Sequence, residues 1–185
     1  MILLVVDMQS RFGASNHDWL LEAVERELLA AREAGWGIMF LEYTRTRGQG
    51  GVRLTDRTHA RLTRVVADYE DAITVHKEDD DGSAEALHAA RSWYGQYGHR
   101  WIPHKQGGWR VVGVNTEACV AGTVNGLTEH LSEHGSDAAV TVVGGACNGN
   151  RRTPATVVDG GHPAPNNHGQ DQIVTKDRNV RILSA

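Results

Sequence analysis

Short, strongly apolar segments alternate along this chain with longer amphipathic stretches, and this alternation constrains the fold more than any other feature. The first segment, Ile2–Val6, is a continuous aliphatic run that ends at Asp7. Such a run is typical of a strand buried on both faces of a parallel sheet. Further strands are predicted at 37–43, 73–76, 110–115, 139–143 and 180–183, and helices at about 18–34, 56–67, 83–97 and 116–134. The chain is therefore predicted to be α/β, a doubly wound, Rossmann-like three-layer sandwich around a mainly parallel sheet.

Length and charge set limits on domain number and partners. The 185 residues suffice for one domain, predicted to span 1–185. Nineteen Lys and Arg against 23 Asp and Glu give a formal net charge of -4, which offers no basic excess for a nucleic acid or an anionic membrane. Neither partner is expected. The two cysteines exclude a disulfide framework, and with no signal-like N-terminus they favour a cytoplasmic location.

Three polar residues lie where a parallel sheet places its ligand site, beyond the carboxyl ends of the strands. Asp7 and Lys77 end two predicted strands, and Cys119 lies in the first turn of the last long helix. A helix N-terminus favours a thiolate, a carboxylate can accept the thiol proton, and an ammonium keeps that carboxylate ionised. The alternative reading of each residue is structural: Cys119 as a small buried hydrophobe, Asp7 as a turn residue and Lys77 as a solvated charge.

Three motifs carry a resemblance to a known family. They are LLVVDMQSRF at 3–12, Lys77 ahead of Ser83-Ala84, and VVGVNTEACVAGTVNGL at 111–127. In this order and spacing they resemble the isochorismatase-like cysteine hydrolases, which include nicotinamidase and N-carbamoylsarcosine amidase. The resemblance covers the chain to about residue 145. It implies the strand order 3-2-1-4-5-6, with Asp7, Lys77 and Cys119 as the catalytic residues.

The resemblance also implies a particular backbone before the cysteine. In the family a cis peptide precedes it, which here would join Val114 to Asn115. That geometry would aim the backbone N–H groups of Asn115 and Cys119 at the oxyanion of a tetrahedral intermediate.

One departure from the family bears on metals. Nicotinamidases of the family bind a metal through an Asp-x-His pair after the second strand, and residues 44–57 contain no such pair. We therefore expect neither a metal nor another cofactor. The retained cysteine favours a cysteine amidohydrolase that cleaves a C–N bond of a small amide, urea or carbamoyl compound through a thioester-type intermediate. The alternatives are vinyl-ether hydrolysis of the isochorismatase type and a catalytically silent binding or scaffold protein.

Substrate recognition is less well defined by the sequence. Arg45 and Arg47 in the loop after the second strand could clamp a substrate carboxylate, since a guanidinium binds it bidentately, and Phe12 is a further candidate for substrate contact. The partner is expected to be a small molecule. Self-association is an expectation by analogy, with Trp93, Trp101 and Trp109 as candidate contact residues.

Other segments leave open questions or suggest structural roles. The stretch 148–172 shows neither the helical nor the strand period, and the acidic turn 78–81 lacks the spaced ligands of a calcium loop. The aromatic and basic stretch 101–109 could either cover a subunit interface or edge the pocket. His130, Glu133 and His134 match an H-x-x-E-H zinc pattern, but they end the helix that begins near Cys119 and should lie far from it. Cys147 is interpreted as structural.

Overall fold

The computed structural model describes residues 1–44, 46–47, 52–53, 56–96, 108–149 and 180–183, with backbone alone at 46–47, 52–53, 93–96 and 180–183. The strands are β1 (Ile2–Val6), β2 (Gly37–Tyr43), β3 (Thr46–Arg47), β4 (Val52–Arg53), β5 (Ala72–Lys77), β6 (Trp109–Val114), β7 (Val140–Asn148) and β8 (Val180–Leu183). The α-helices are α1 (Asp18–Glu33), α2 (Ala60–Val65), α3 (Ser83–Gln96) and α4 (Ala121–Glu133). A 3-10 turn spans Gly13–Asn16 and a π-helical turn Thr116–Val120.

The main sheet confirms the predicted topology. Its order is β5-β2-β1-β6-β7-β8, and every neighbouring pair of strands is parallel. For the first five strands this is the predicted order 3-2-1-4-5, and the backbone of β8 pairs with β7 at the edge. The chain thus winds outward from β1 in both directions, which places the ends of β1 and β6 side by side at the centre of the sheet.

Two apolar clusters fill the space between the sheet and its helices. Alternate residues of β1 point to opposite faces, so Leu3 and Val5 join α1 and α2 in one cluster, while Leu4 and Val6 join α3 and α4 in the other. Every residue of β1 is buried. The centre of the sheet is therefore covered on both sides, as the continuous apolar run predicts.

The second helix begins later than predicted. It starts at Ala60 rather than near 56, because the preceding residues make tertiary contacts in an extended conformation. The Asp56 carboxylate accepts the backbone N–H of Arg11 at 2.7 Å, and Thr58 forms an antiparallel bridge with Gln9. The predicted loop after β2 contains a short antiparallel pair, β3 with β4.

The fifth strand of the parallel sheet is longer than predicted. β7 runs on to Asn148, with an irregularity opposite the Val111–Gly113 segment of β6. At Gly113 φ is +136°, and a Cβ atom there would lie 2.1 Å from the Val6 carbonyl oxygen. Only glycine allows the central strands this approach.

The prediction that Trp109 contributes to self-association is wrong, and several other predicted residues lie outside the described part of the chain. Trp109 is completely buried in the α3 and α4 cluster, so it cannot form a contact surface. The side chains of Arg45, Arg47, Trp93 and Trp101, and most of 101–109 and 148–172, lie outside the described residues. In the described part of the chain, no helix has the length and apolar character of a membrane span.

Candidate active site

Asp7 occupies the turn that ends the central strand. Its backbone N–H donates to the Leu41 carbonyl at 2.9 Å, and its φ of +54° lies in the left-handed region that non-glycine residues seldom adopt. The side chain is completely buried. Oδ2 faces Lys77 and Asn115, whereas Oδ1 has no hydrogen-bond partner among the described residues. One carboxylate oxygen is thus available for a proton or a substrate N–H group.

Lys77 ends β5 and is also buried. Its Nζ lies 3.5 Å from Asp7 Oδ2 and donates to the carbonyls of Asp79 at 3.0 Å and Asp80 at 3.1 Å. A Cβ at Gly82 would lie 2.6 Å from Lys77 Cδ, so this glycine makes room for the lysine stem. The acidic turn 78–81 is therefore organised around the Lys77 ammonium group, which donates hydrogen bonds to two backbone carbonyls of the turn.

Cys119 lies in the π-helical turn that joins β6 to α4, a distortion that often marks functional positions. Its side chain is buried among core residues, and its Sγ donates to Asp80 Oδ1 at 3.5 Å. Asn115 Nδ2 lies 3.5 Å from Asp7 Oδ2 and 3.9 Å from Cys119 Sγ. The predicted residues from three separate segments therefore meet in one cluster, and Asn115 lies between two of them.

The predicted cis peptide between Val114 and Asn115 is wrong for this structure, where no described peptide bond is cis. The chain instead turns through a left-handed Asn115, with φ 61° and ψ 54°, and this turn leads from β6 into the π-helical turn with a trans bond. The Asn115 carbonyl then accepts the N–H groups of Ala118 and Val120. The role of the Asn115 and Cys119 N–H groups in binding an oxyanion stays a prediction.

Burial sets the protonation of the cluster. Removal from water raises the pKa of Asp7, and the Lys77 charge and the hydrogen bond from Asn115 partly offset this rise. The pKa of the Cys119 thiol is also raised, first by burial and then by the Asp7 charge, against the opposing effect of Lys77. Burial therefore opposes the thiolate that the helix N-terminus is expected to favour.

The raised pKa of Asp7 predicts a pH-dependent contribution to stability. Since the folded pKa lies above the ordinary 3.8, the contribution is complete below that value and is lost as the pH rises through the folded pKa. We expect the free energy of unfolding of the native chain, minus that of Asp7→Asn, to fall as the pH rises above about 4, by about 1.4 kcal/mol per unit of pKa difference. Urea denaturation measures it; a constant or rising difference would contradict the assignment.

Phe12 lies near the cluster through an aromatic chain. Its ring packs edge-on against Tyr43 with centroids 6.2 Å apart, and the Tyr43 ring faces Lys77 Nζ at 5.1 Å. The Tyr43 ring therefore lies between Phe12 and Lys77. Substrate contact by Phe12, Arg45 and Arg47 stays a prediction.

Gln9 supports the site and was not among the predicted residues. It is fully buried, its Oε1 accepts the Tyr43 backbone N–H at 2.7 Å, and its Nε2 donates to the Tyr43 and Asp56 carbonyls. It thereby fixes the end of β2 beside Asp7. Its position two residues after Asp7, at the end of a buried strand, was the available sequence signal.

The zinc-like pattern on α4 lies at the other end of that helix. Ligand atoms of His130, Glu133 and His134 lie within 4.8 Å of one another. However, His130 Nε2 contacts the Arg91 guanidinium at 3.0 Å, and His134 Nδ1 contacts the His130 carbonyl at 2.8 Å. The cluster is about three helical turns from Cys119 along the chain, and it plays no part in the site described above.

Comparison with known proteins places this fold. No family model and no curated protein matches the sequence. Among solved structures, MAR1 ribonuclease from Caenorhabditis elegans is similar at 20% identity and a TM-score of 0.56, over 80% of this chain and 64% of that one. This chain therefore spans less than two thirds of that ribonuclease.

Two amidases with known structures are similar over most of their own length. A nicotinamidase from Staphylococcus aureus matches at 17% identity and a TM-score of 0.54, over 79% of this chain and 82% of that one. N-carbamoylsarcosine amidase from Thermoplasma acidophilum matches at 13% identity, with the same TM-score and coverage. Proteins described as isochorismatase family members match as well. The chain therefore has the fold of the isochorismatase-like hydrolases.

Proposed function

We propose that this protein is a metal-independent cysteine amidohydrolase that cleaves a C–N bond of a small amide, urea or carbamoyl compound. The observation that carries the proposal is the buried cluster of Asp7, Lys77 and Cys119, drawn from three segments to one end of the sheet. A carboxylate and an ammonium beside a thiol supply the groups that nucleophilic acyl transfer needs. The nicotinamidase and carbamoylsarcosine amidase structures that share the fold support the same reaction class.

The first half of the proposed reaction forms a thioester-type intermediate. The sulfur of Cys119 attacks the carbonyl carbon while its proton passes to Asp7, whose raised pKa makes it a stronger base than an ordinary aspartate. The carbonyl oxygen gains the negative charge, for which the Asn115 and Cys119 N–H groups are the predicted donors. Asp7 then protonates the departing nitrogen as the C–N bond breaks.

The second half releases the acid. A water molecule gives a proton to Asp7 and attacks the thioester carbonyl, and the sulfur leaves as the Cys119 thiol when Asp7 returns the proton. Lys77 stabilises the ionised Asp7 at the start of each half-reaction, since it lies 3.5 Å from the carboxylate. Because burial raises the pKa of the thiol, we infer that proton transfer accompanies the attack rather than preceding it.

Ribonuclease activity, indicated by the name of one structure with this fold, receives less support. The formal net charge of -4 and the acidic turn beside Cys119 oppose a polyanion. Vinyl-ether hydrolysis remains the alternative within the fold, and it predicts that Asp7 is essential and Cys119 dispensable.

A screen of small amides, ureas and carbamoyl acids tests the proposal. We expect one class to release ammonia or amine and to leave an acyl adduct on Cys119, detected by mass spectrometry of the acid-quenched protein. Activity should survive EDTA, and elemental analysis should find no stoichiometric zinc or iron.

Cys147→Ala is the matched control, because Cys147 is fully buried and outside the cluster. Absence of turnover and of adducts across the panel would favour the scaffold alternative, and loss of activity with EDTA that one divalent ion restores would refute metal independence.

A further inference from the structure

Asp80 brings a second carboxylate to the cysteine. Its Oδ1 accepts the Cys119 thiol at 3.5 Å, while its side chain is exposed to solvent. The backbone of the same residue is fixed, since its carbonyl accepts Lys77 Nζ at 3.1 Å. Asp80 therefore lies at the solvent side of the thiol, and Asp7 lies at its buried side.

The charged groups around Asp80 leave its carboxylate without a cation. Lys77 uses the carbonyl of Asp80, not its carboxylate, and pairs with Asp7. In the described part of the chain, no Lys, Arg or His nitrogen lies within 4.0 Å of the Asp80 carboxylate. The thiol is its one described hydrogen-bond donor.

The proposed reaction removes the thiol hydrogen that Asp80 accepts. When Cys119 gives its proton to Asp7 during attack, Asp80 loses this donor, and the carbonyl oxygen of the substrate gains a negative charge that repels the nearby Asp80 carboxylate. A positively charged group entering from solvent would replace the lost donor and offset the repulsion. The same group would also be attracted to the approach side of the site, where the exposed carboxylate lies.

We propose that Asp80 binds a positively charged group of the substrate, so that the enzyme acts on small amides or carbamoyl compounds with an ammonium or guanidinium near the scissile carbonyl. This inference rests on the proposed function for its chemistry. Its geometric basis is independent of it, because the position of Asp80 against the thiol governs the approach of any reagent to Cys119.

Thiol reagents that differ in charge test the inference without turnover. In a Cys147→Ala background, we measure Cys119 modification by the trimethylammonium-ethyl, methyl and sulfonatoethyl methanethiosulfonates. The sulfur of Cys119 attacks the sulfenyl sulfur, a mixed disulfide forms, and methanesulfinate leaves. Each rate is divided by the rate of the same reagent with a free thiol in solution. We expect the cationic reagent to exceed the anionic one at least about tenfold, a difference of about 1.4 kcal/mol.

Two variants of the acidic turn provide the comparison. Asp80→Asn keeps the shape of the side chain and removes its charge, so the ratio of the cationic to the anionic labelling rate should fall to about one. Glu78→Gln removes an exposed charge of the same turn, and this ratio should stay unchanged. A rate ratio of one or less in the Cys147→Ala background overturns the inference, and so does a cationic preference that persists in Asp80→Asn. So does a failure of all three reagents under conditions that label the unfolded chain.

Substrate kinetics separate this inference from the proposed function. Glycinamide, propionamide and malonamate place a cation, a neutral group and an anion beside the same amide. We expect kcat/KM to decrease in that order and the order to weaken in Asp80→Asn. Hydrolysis that favours malonamate would support the amidohydrolase proposal and refute the role of Asp80. It would also favour the predicted clamp of Arg45 and Arg47 on a substrate carboxylate. A cationic preference in labelling without hydrolysis of any amide would keep Asp80 as a cation-binding group and refute the amidohydrolase.

Discussion

Replacing Cys119 with alanine should lower kcat/KM by about 10⁴-fold or more, since the thioester-type intermediate cannot form without its sulfur. The fold should tolerate the change, because alanine is a small apolar residue that can replace Cys119 in the apolar cluster facing α3 and α4. Steady-state ammonia release, normalised to protein that passes a thermal unfolding check, measures the effect. Cys119→Ser should be almost as inactive, since a serine hydroxyl is a far weaker acid than a thiol.

Cys147→Ala is the control for the loss of a cysteine as such. Cys147 lies in β7 opposite Gly113, and burial raises the pKa of its thiol to about 12. It is therefore an inert core residue, and its truncation should leave kcat/KM within about twofold while costing roughly 1 kcal/mol of stability. If Cys119→Ala retains activity while Asp7→Asn does not, the vinyl-ether alternative replaces the cysteine mechanism.

Non-additivity gives a second test of the same unit. Residues that act in one step lose little more together than the worse of them loses alone. Asp7→Asn combined with Cys119→Ala should therefore cost no more than about twofold beyond Cys119→Ala. Independent effects that multiply would instead mean that Asp7 acts outside the cysteine step.

Much of this architecture could be predicted from the sequence because local patterns encode it. The apolar run of β1 has no polar face, so both faces must be covered, and Gly35 ends α1 in the left-handed conformation that is typical of a glycine after a helix. Asp7 and Lys77 could be placed because strand ends in a parallel sheet converge on one edge. These features depend on residues near in sequence or on a general rule of topology.

The remaining features depend on contacts that no local pattern reports. Asp80 contacts Cys119 across 39 positions of the chain, and no local pattern distinguishes it from the other residues of the acidic turn. Burial raises the pKa of the Cys119 thiol, whereas the sequence showed only a helix start that favours ionisation. The late start of α2 has the same origin: the Thr58 N–H donates to the buried Glu42 carboxylate at 2.8 Å, which holds the segment extended.

Removing the Lys77 charge should damage both stability and activity. Lys77→Met leaves the Asp7 carboxylate buried, with one oxygen unpartnered and the other held only by Asn115. An uncompensated buried charge costs about 3–5 kcal/mol, unless the group takes up a proton. A protonated Asp7 cannot accept the thiol proton, so kcat/KM should fall by about 10³-fold, while the urea midpoint falls more at pH 8 than at pH 5.

The double variant Lys77→Met with Asp7→Asn separates these two effects. It removes both charges, so it should recover part of the stability lost in Lys77→Met, with a coupling of about 1–3 kcal/mol in the double-mutant cycle, and yet stay inactive. Lys77→Arg should not restore activity, because the lysine stem already passes so close to Gly82 that a Cβ there would lie 2.6 Å from Lys77 Cδ. Equal urea midpoints for the native chain and Lys77→Met at both pH values would refute the ion pair. In that case the ammonium would act only as an anchor for the Asp79 and Asp80 carbonyls, and the charge that stabilises Asp7 would have to come from the substrate.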